Sequence, residues 1–342
     1  MKVDLDQVEC RSAFDLVHHG EKTLHDADTP AAIRLAELAD VLYLPDVLDP
    51  GQSLCLSEGR TVPVESILDC WTVDFFHRMR RERSGYRHAY LDEFDVERVT
   101  ARVAILGNVF SRNFGHWTEE LLKVAALESA GEPCHYVIPN LPTFARESLR
   151  LLGIDDRRIS IVHRPTVFTR AVFTTAVSHQ NVSDYPAALS RLRDMVDARL
   201  GQRPSRFGRR LWLERGAQVR AGGVTLNRDE VARTLAPYGF DIVDMGMLEV
   251  ADQFASVRHA TMIAGPHGSQ FVHAQFMPTK SAVIECFSPI HVNPSILQIC
   301  RALRQDYRQI VSRSHVIDPY GRGRDILVDC EHLALVLDSL VS

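Results

Sequence analysis

The sequence predicts an α/β protein built from two parallel-sheet domains facing a central cleft, and three observations lead there. Its 342 residues exceed what one ordinary core of roughly 150 residues requires. Short apolar runs bounded by Pro, Gly or Asn alternate with stretches whose apolar residues recur every three or four positions. A polar stretch over residues 201–209, rich in Arg, Gly, Pro and Ser, interrupts that alternation. The expected division is an N-terminal domain over 1–205 and a C-terminal domain over 206–342, with the last helix free to pack back on the first domain.

In the first half, residues 41–44, 102–106, 135–138, 159–162 and 171–174 read as strands. Residues 186–200 place Leu189, Leu192, Met195, Val196 and Leu200 on one face of a helix that stops at Gly201. In the second half the strands are expected at 211–213, 241–243, 261–264 and 282–287. The helices between them are expected at 228–235, capped by Asn227 and stopped by Gly239, near 249–256, and at 270–276. Each crossover must run back over the sheet before the next parallel strand starts, so ligands are expected just beyond the carboxyl ends of the strands.

Composition narrows the function classes. The chain is 45% hydrophobic and 24% charged, as a packed globular protein requires, and its formal net charge of −5 argues against broad attraction to nucleic acid. Arg78, Arg80, Arg81 and Arg83 form a local basic cluster, read as a solvated helix face or, in the minority reading, as a contact for an acidic lipid or polymer surface. No secretory leader opens the sequence and no run of about 18 apolar residues occurs, so a cytoplasmic location is expected, with attachment to the inner face of a membrane left open. Seven cysteines without close pairing suggest reduced thiols rather than a zinc or disulfide framework. Asn181-Val182-Ser183 is a formal glycosylation acceptor that signals only a loop in such a protein.

Two motifs carry chemistry. Gly265-Pro266-His267-Gly268-Ser269 follows an apolar strand and opens a helix, which sets backbone N–H groups and a positive helix end beside an imidazole and a hydroxyl. That combination suits a pyrophosphate, with Gly265 and Gly268 permitting close approach; the alternative is a strand-to-helix turn with no ligand. Glu285, ending the next strand, is a candidate for ribose hydroxyls or for pairing with a neighbouring Arg. Arg215 and Arg220 are candidates for phosphate contact. In Asn113-Phe114-Gly115-His116-Trp117-Thr118-Glu119-Glu120, Asn113 caps a helix on which His116 and Glu120 lie four apart. That pair suits general-base catalysis on an acceptor hydroxyl, or else ties helix to sheet. Glu119, about 100° away around the helix, is expected in solvent. Neither Asp4-Leu5-Asp6 nor His267 with His273 makes a metal set.

These motifs, in order, resemble glycosyltransferase family 61, which spans plant xylosyl- and arabinosyltransferases, the EGF-domain-specific O-GlcNAc transferase and bacterial proteins of capsular polysaccharide synthesis. The resemblance rests on residues 113–120, 215–227, 265–269 with Phe271 and His273, and Val283-Ile284-Glu285. It implies a GT-B fold with two Rossmann-like domains, inversion at the anomeric carbon, a UDP-sugar co-substrate and no metal or other cofactor. His116 and Glu120 match the His and acid of the family's first motif, His267 and Gly268 its donor loop, and Arg215 the Arg ending the first strand of its second domain. Ala221-Gly222-Gly223-Val224-Thr225 replaces a usual basic run, Ser269-Gln270 a pair of small residues, and His273 a common Asn. The implied partners are a nucleotide-sugar donor, a glycan or other hydroxyl acceptor and polysaccharide-assembly proteins at a membrane, with no nucleic acid. A noncatalytic sugar-nucleotide-binding subunit and a nucleotide-sugar isomerase are the alternatives.

Overall fold

The computed structural model describes residues 2–4, 9–11, 13–16, 20–24, 33–49, 52–57, 61–63, 88–90, 96–107, 110–175, 177–216, 223–312 and 325–341. The arginine cluster at 78–83 and Arg220 lie outside them. The chain divides into two compact units, Met1–Ser178 with Ala187–Met195, and His179–Pro186 with Val196–Ser342.

The first unit centres on a sheet ordered β11 (Ile159–Ile161), β10 (His135–Ile138), β9 (Glu97–Ile105), β12 (Thr166–Thr174), β4 (Ile33–Leu38) and β3 (Gly20–Leu24). β5 (Val41–Asp49) also pairs with β12 and carries β6 (Gln52–Leu56). Two small ladders stand apart: β1 (Lys2–Asp4) with β8 (His88–Tyr90), and β2 (Glu9–Arg11) with β7 (Thr61–Pro63). Helix α1 (Phe114–Ser129) connects β9 to β10, and α2 (Phe144–Leu151) lies between β10 and β11.

The expectation of a purely parallel sheet holds only from β11 to β12; β3, β4, β5 and β6 pair antiparallel. Connection length accounts for β3 against β4 and β5 against β6, joined by eight and two residues where a parallel crossover needs a dozen or more, whereas β4 and β5 meet β12 from more than a hundred residues away. β4 and β5 follow the same partner, with Leu38 opposite Ala171 and Val41 opposite Phe168. Asp40, at φ 50°, makes the bend between them, a conformation Asp tolerates better than most residues. Leu38, Tyr43, Val103, Val137 and Phe168 fill the core on this sheet.

The second unit holds one parallel sheet, ordered β14 (Asp241–Asp244), β13 (Arg210–Glu214), β15 (Met262–Pro266), β16 (Ala282–Phe287) and β17 (Asp306–Val311). Its helices are α4 (Arg228–Leu235), α5 (Val250–Arg258), α6 (Ser295–Leu303) and α7 (Cys330–Val341). α3 (Pro186–Leu200) precedes it. Strand residues of one parity, Trp212, Ala264, Ile284 and Ile310, pack with Val231 and Leu235 of α4 and Leu333 and Leu337 of α7. The stretch after Gly201 is pinned inside this unit, since Arg203 and Arg206 both pair with the buried Asp252 of α5 at 2.7 and 2.8 Å.

Two local expectations change. Asn227 occupies the cap position of α4 without capping it; its amide donates to the Val328 carbonyl and its oxygen accepts from the Val328 N–H, each at 2.9 Å. A two-way amide bond to a distant backbone outcompetes one capping contact. The helix expected at 270–276 is a 3-10 helix over Ser269–Phe276, where the His273 ring takes the Gln270 carbonyl at 2.7 Å.

Candidate active site

Counted in chain order, the second sheet runs 2-1-3-4-5, so connections leave in opposite directions from β13 and β15, making the switch point beyond whose carboxyl ends sheets of this kind bind ligands. Arg215 follows β13, and Gly265 and Pro266 close β15 ahead of His267 and Gly268. The Arg215 guanidinium donates through Nη1 to the His267 carbonyl at 3.1 Å. Gly268 makes room for it: a Cβ there would lie 3.0 Å from Arg215 Nη1 and 2.6 Å from Gln270 Oε1. The sheet topology therefore brings Arg215, His267, Gly268 and the half-buried Ser269 together at the switch point.

Gly265 serves a different purpose from the one expected. A Cβ at this position would meet the Leu213 carbonyl at 2.5 Å, so the glycine lets β13 and β15 approach and opens no space for a phosphate. Nor does Glu285 offer its carboxylate to a ribose. It is fully buried; Oε1 lies 2.5 Å from His267 Nδ1, and Oε2 accepts a hydrogen bond from the Tyr307 hydroxyl at 2.8 Å. The anticipated Arg partner is replaced by a histidine, because Gly265 and Glu285 sit opposite one another and His267 follows directly after the end of β15. The His267 ring stacks on Phe287 with centroids 4.9 Å apart and meets His291 edge-on at 5.3 Å.

In the first unit, Asn113 accepts from the Gly115 N–H at 2.8 Å and caps α1. His116, three residues on, is 41% exposed and lies with Nδ1 3.3 Å from Glu119 Oε2. The expected His116–Glu120 pair is not formed. Glu120 points into the protein and pairs with Lys123 at 3.0 Å, both side chains being buried. The error has a clear cause: α1 is buried around nearly its whole circumference from Trp117 to Leu127, so Glu119 has no solvent face to occupy. Trp117, wholly buried, donates to Ser148 of α2 at 2.7 Å and locks the helix in place.

Among the described residues no three His, Cys, Asp or Glu side chains gather as a metal site. His273 is buried between the Gln270 carbonyl and Gln253, and burial pushes its pKa down to about 4. Burial raises the Cys134 thiol to about 11 and lifts Cys286 and Cys300 further still, so none of the three is an activated nucleophile. Among the described residues, no helix is long and apolar enough to cross a membrane.

Sequence could not single out Tyr307, Phe287 and His291, which lie outside the recognised motifs. The strand register is the signal that would have found Tyr307, which sits opposite Val283 and so shares a sheet face with Glu285.

A search of curated proteins finds no match. Among solved structures, the chain is similar to the iron-containing dodecameric glycosyltransferase TibC from enterotoxigenic E. coli, at 9% identity and TM-score 0.35, over 94% of this chain and 95% of that one. It is also similar to the heptosyltransferase TibC in complex with ADP-D-beta-D-heptose, at 11% identity and TM-score 0.35, over 95% of each chain. Both similarities are too low to define the fold. The family model for glycosyltransferase 61 matches residues 114–284, half of the chain, and spans His116, Glu119, Arg215 and the His267–Gly268 turn. With that match, the chain belongs to glycosyltransferase family 61 and is a glycosyltransferase.

Proposed function

We propose that this glycosyltransferase is inverting and metal-independent, takes a UDP-sugar as donor and transfers the sugar to a hydroxyl of a glycan or other acceptor in polysaccharide or glycoconjugate synthesis. The observation that carries the reading is the Arg215 guanidinium held across the His267–Gly268 turn at the switch point of the second sheet. A guanidinium, an imidazole and the N–H groups opening a short helix form a cationic cradle suited to a diphosphate. Charge that develops on the leaving group is met there without a cation.

His116, oriented by Glu119, is the base that removes the acceptor proton as the hydroxyl oxygen attacks C1; the bond from C1 to the diphosphate breaks, and its electrons pass to the β-phosphate oxygen. Glu120, neutralised by Lys123, serves the fold of α1. The proposal includes a GT-B arrangement, with the acceptor side in the first unit and the donor side in the second. It also includes a cytoplasmic location with peripheral attachment to a membrane.

The test is a thermal-shift panel of nucleotide-sugars with and without EDTA, followed by an NMR time course of the best donor with candidate acceptors. Stabilisation by a UDP-sugar that survives EDTA, and a product with inverted anomeric configuration, are expected. Stabilisation only by another nucleotide, or loss of transfer with EDTA, would refute the donor or the metal independence.

A further inference from the structure

His267 is backed by a chain of groups that the reaction does not touch directly. Glu285 of β16 is wholly buried and engages His267 with one oxygen and Tyr307 with the other. Tyr307 belongs to β17, the strand beyond, and burial together with the Glu285 carboxylate raises its phenol far above the ordinary range, so it remains a donor. Phe287, two residues after Glu285, stacks on the imidazole from the side. β16 thus meets the ring directly, and β17 supports it through Glu285.

An imidazole in water divides its proton between two nitrogens and turns freely about its χ angles. An ionised carboxylate can only accept, so one placed 2.5 Å from Nδ1 requires the proton to sit on that nitrogen. Nε2 is then the nitrogen left to meet a ligand. Stacking on Phe287 removes rotation of the ring, and the Tyr307 hydroxyl keeps the carboxylate from turning away.

We propose that Glu285 and Tyr307 are positioning residues that hold the Nδ1 proton and the direction of His267, so that Nε2 addresses an anionic group beyond the carboxyl ends of β13 and β15. The anion is the diphosphate of the donor, and that clause alone rests on the functional reading above. With Nδ1–H committed to Glu285, a second proton taken from solvent onto Nε2 turns that nitrogen into a donor to the β-phosphate oxygen that receives the electron pair of the breaking bond. The charge of the ring is balanced from behind by Glu285. Among the described residues, the groups facing His267 are Glu285, His291 and Phe287, with Arg215 on its carbonyl.

Protein labelled with ¹⁵N-histidine tests the positioning without any donor. The His267 resonances, assigned by their loss in His267→Gln, should show a proton on Nδ1 in a strong hydrogen bond. Glu285→Gln and Tyr307→Phe should both move that signal, the second less than the first. Tyr307→Phe removes a single hydroxyl and keeps the test decisive if Glu285→Gln does not fold. In parallel, calorimetry with UDP should show affinity about tenfold weaker in Glu285→Gln, as loss of a supporting group commonly causes. A ring protonated on Nε2 alone, or an Nδ1 signal indifferent to both substitutions, overturns the proposal. If the NMR result holds but the wild-type protein does not bind UDP, the positioning stands and the UDP reading fails.

Discussion

His116 finds its carboxylate three residues along its own helix, whereas His267 finds one eighteen residues away on the neighbouring strand. The first pair is loose: 3.3 Å apart, with the imidazole 41% exposed. The second is tight, with the acid sealed in the core and anchored again by Tyr307. A base must take a proton from an arriving acceptor and give it up, which suits an accessible ring with a modest partner. A group that meets the same charge at every turnover gains from rigidity, because a preorganised dipole needs no reorganisation during the reaction.

The comparison can be broken at several points. Replacing His116 by Gln is expected to lower transfer by about 10²–10⁴-fold, the usual worth of a general base, with UDP affinity unchanged within a few-fold. Normal turnover in that variant would remove the base from the first unit. Lys123→Met should cost about 3–5 kcal/mol of stability by breaking the buried ion pair with Glu120, measured by denaturant unfolding. A cost near zero would show that Glu120 reaches solvent or a different partner.

His273 sharpens the contrast as a third kind of histidine, one fully buried against the Gln270 carbonyl and the Gln253 amide. Burial lowers its pKa from 6.5 to about 4, so between those values the unfolded chain binds the proton that the folded protein refuses. Its contribution is complete above about pH 6.5 and is lost as the pH falls towards 4, on the order of 3 kcal/mol at about 1.4 kcal/mol per unit. His273→Asn should flatten that part of the stability profile, and an unaltered profile would show that other groups titrate there. Arg215→Lys keeps the charge but loses the planar fork, and should weaken UDP binding about tenfold by calorimetry. Asn113→Ala should cost about 1 kcal/mol through the lost cap of α1 while leaving the His267 site untouched.

Most of the second unit was legible because its signals are local. Apolar runs ended near Gly239 and Pro266, and the strands after them fell where expected. The first unit was less so, since β4 and β5 carry the apolar character of parallel strands and nothing within them announces which neighbour they join. At the site, Arg215, His267 and Gly268 were found as neighbours because each follows a strand in a sheet whose order brings those ends together. Glu119 was misplaced because helical spacing gives an angle around an axis but says nothing about what lies on each side. Glu285 was placed on the right edge with the wrong partner, since its orientation depends on Tyr307 and on a register that no single segment encodes.

By itself, the sequence determined two α/β halves, a capped helix bearing His116, and a glycine turn bearing His267 at the end of a strand, because each arises from contacts within a few residues. Only the tertiary structure decided which carboxylate serves each histidine and which glycine clears space for an arginine. Those choices depend on burial and on the lateral order of strands, quantities set by the whole packed chain.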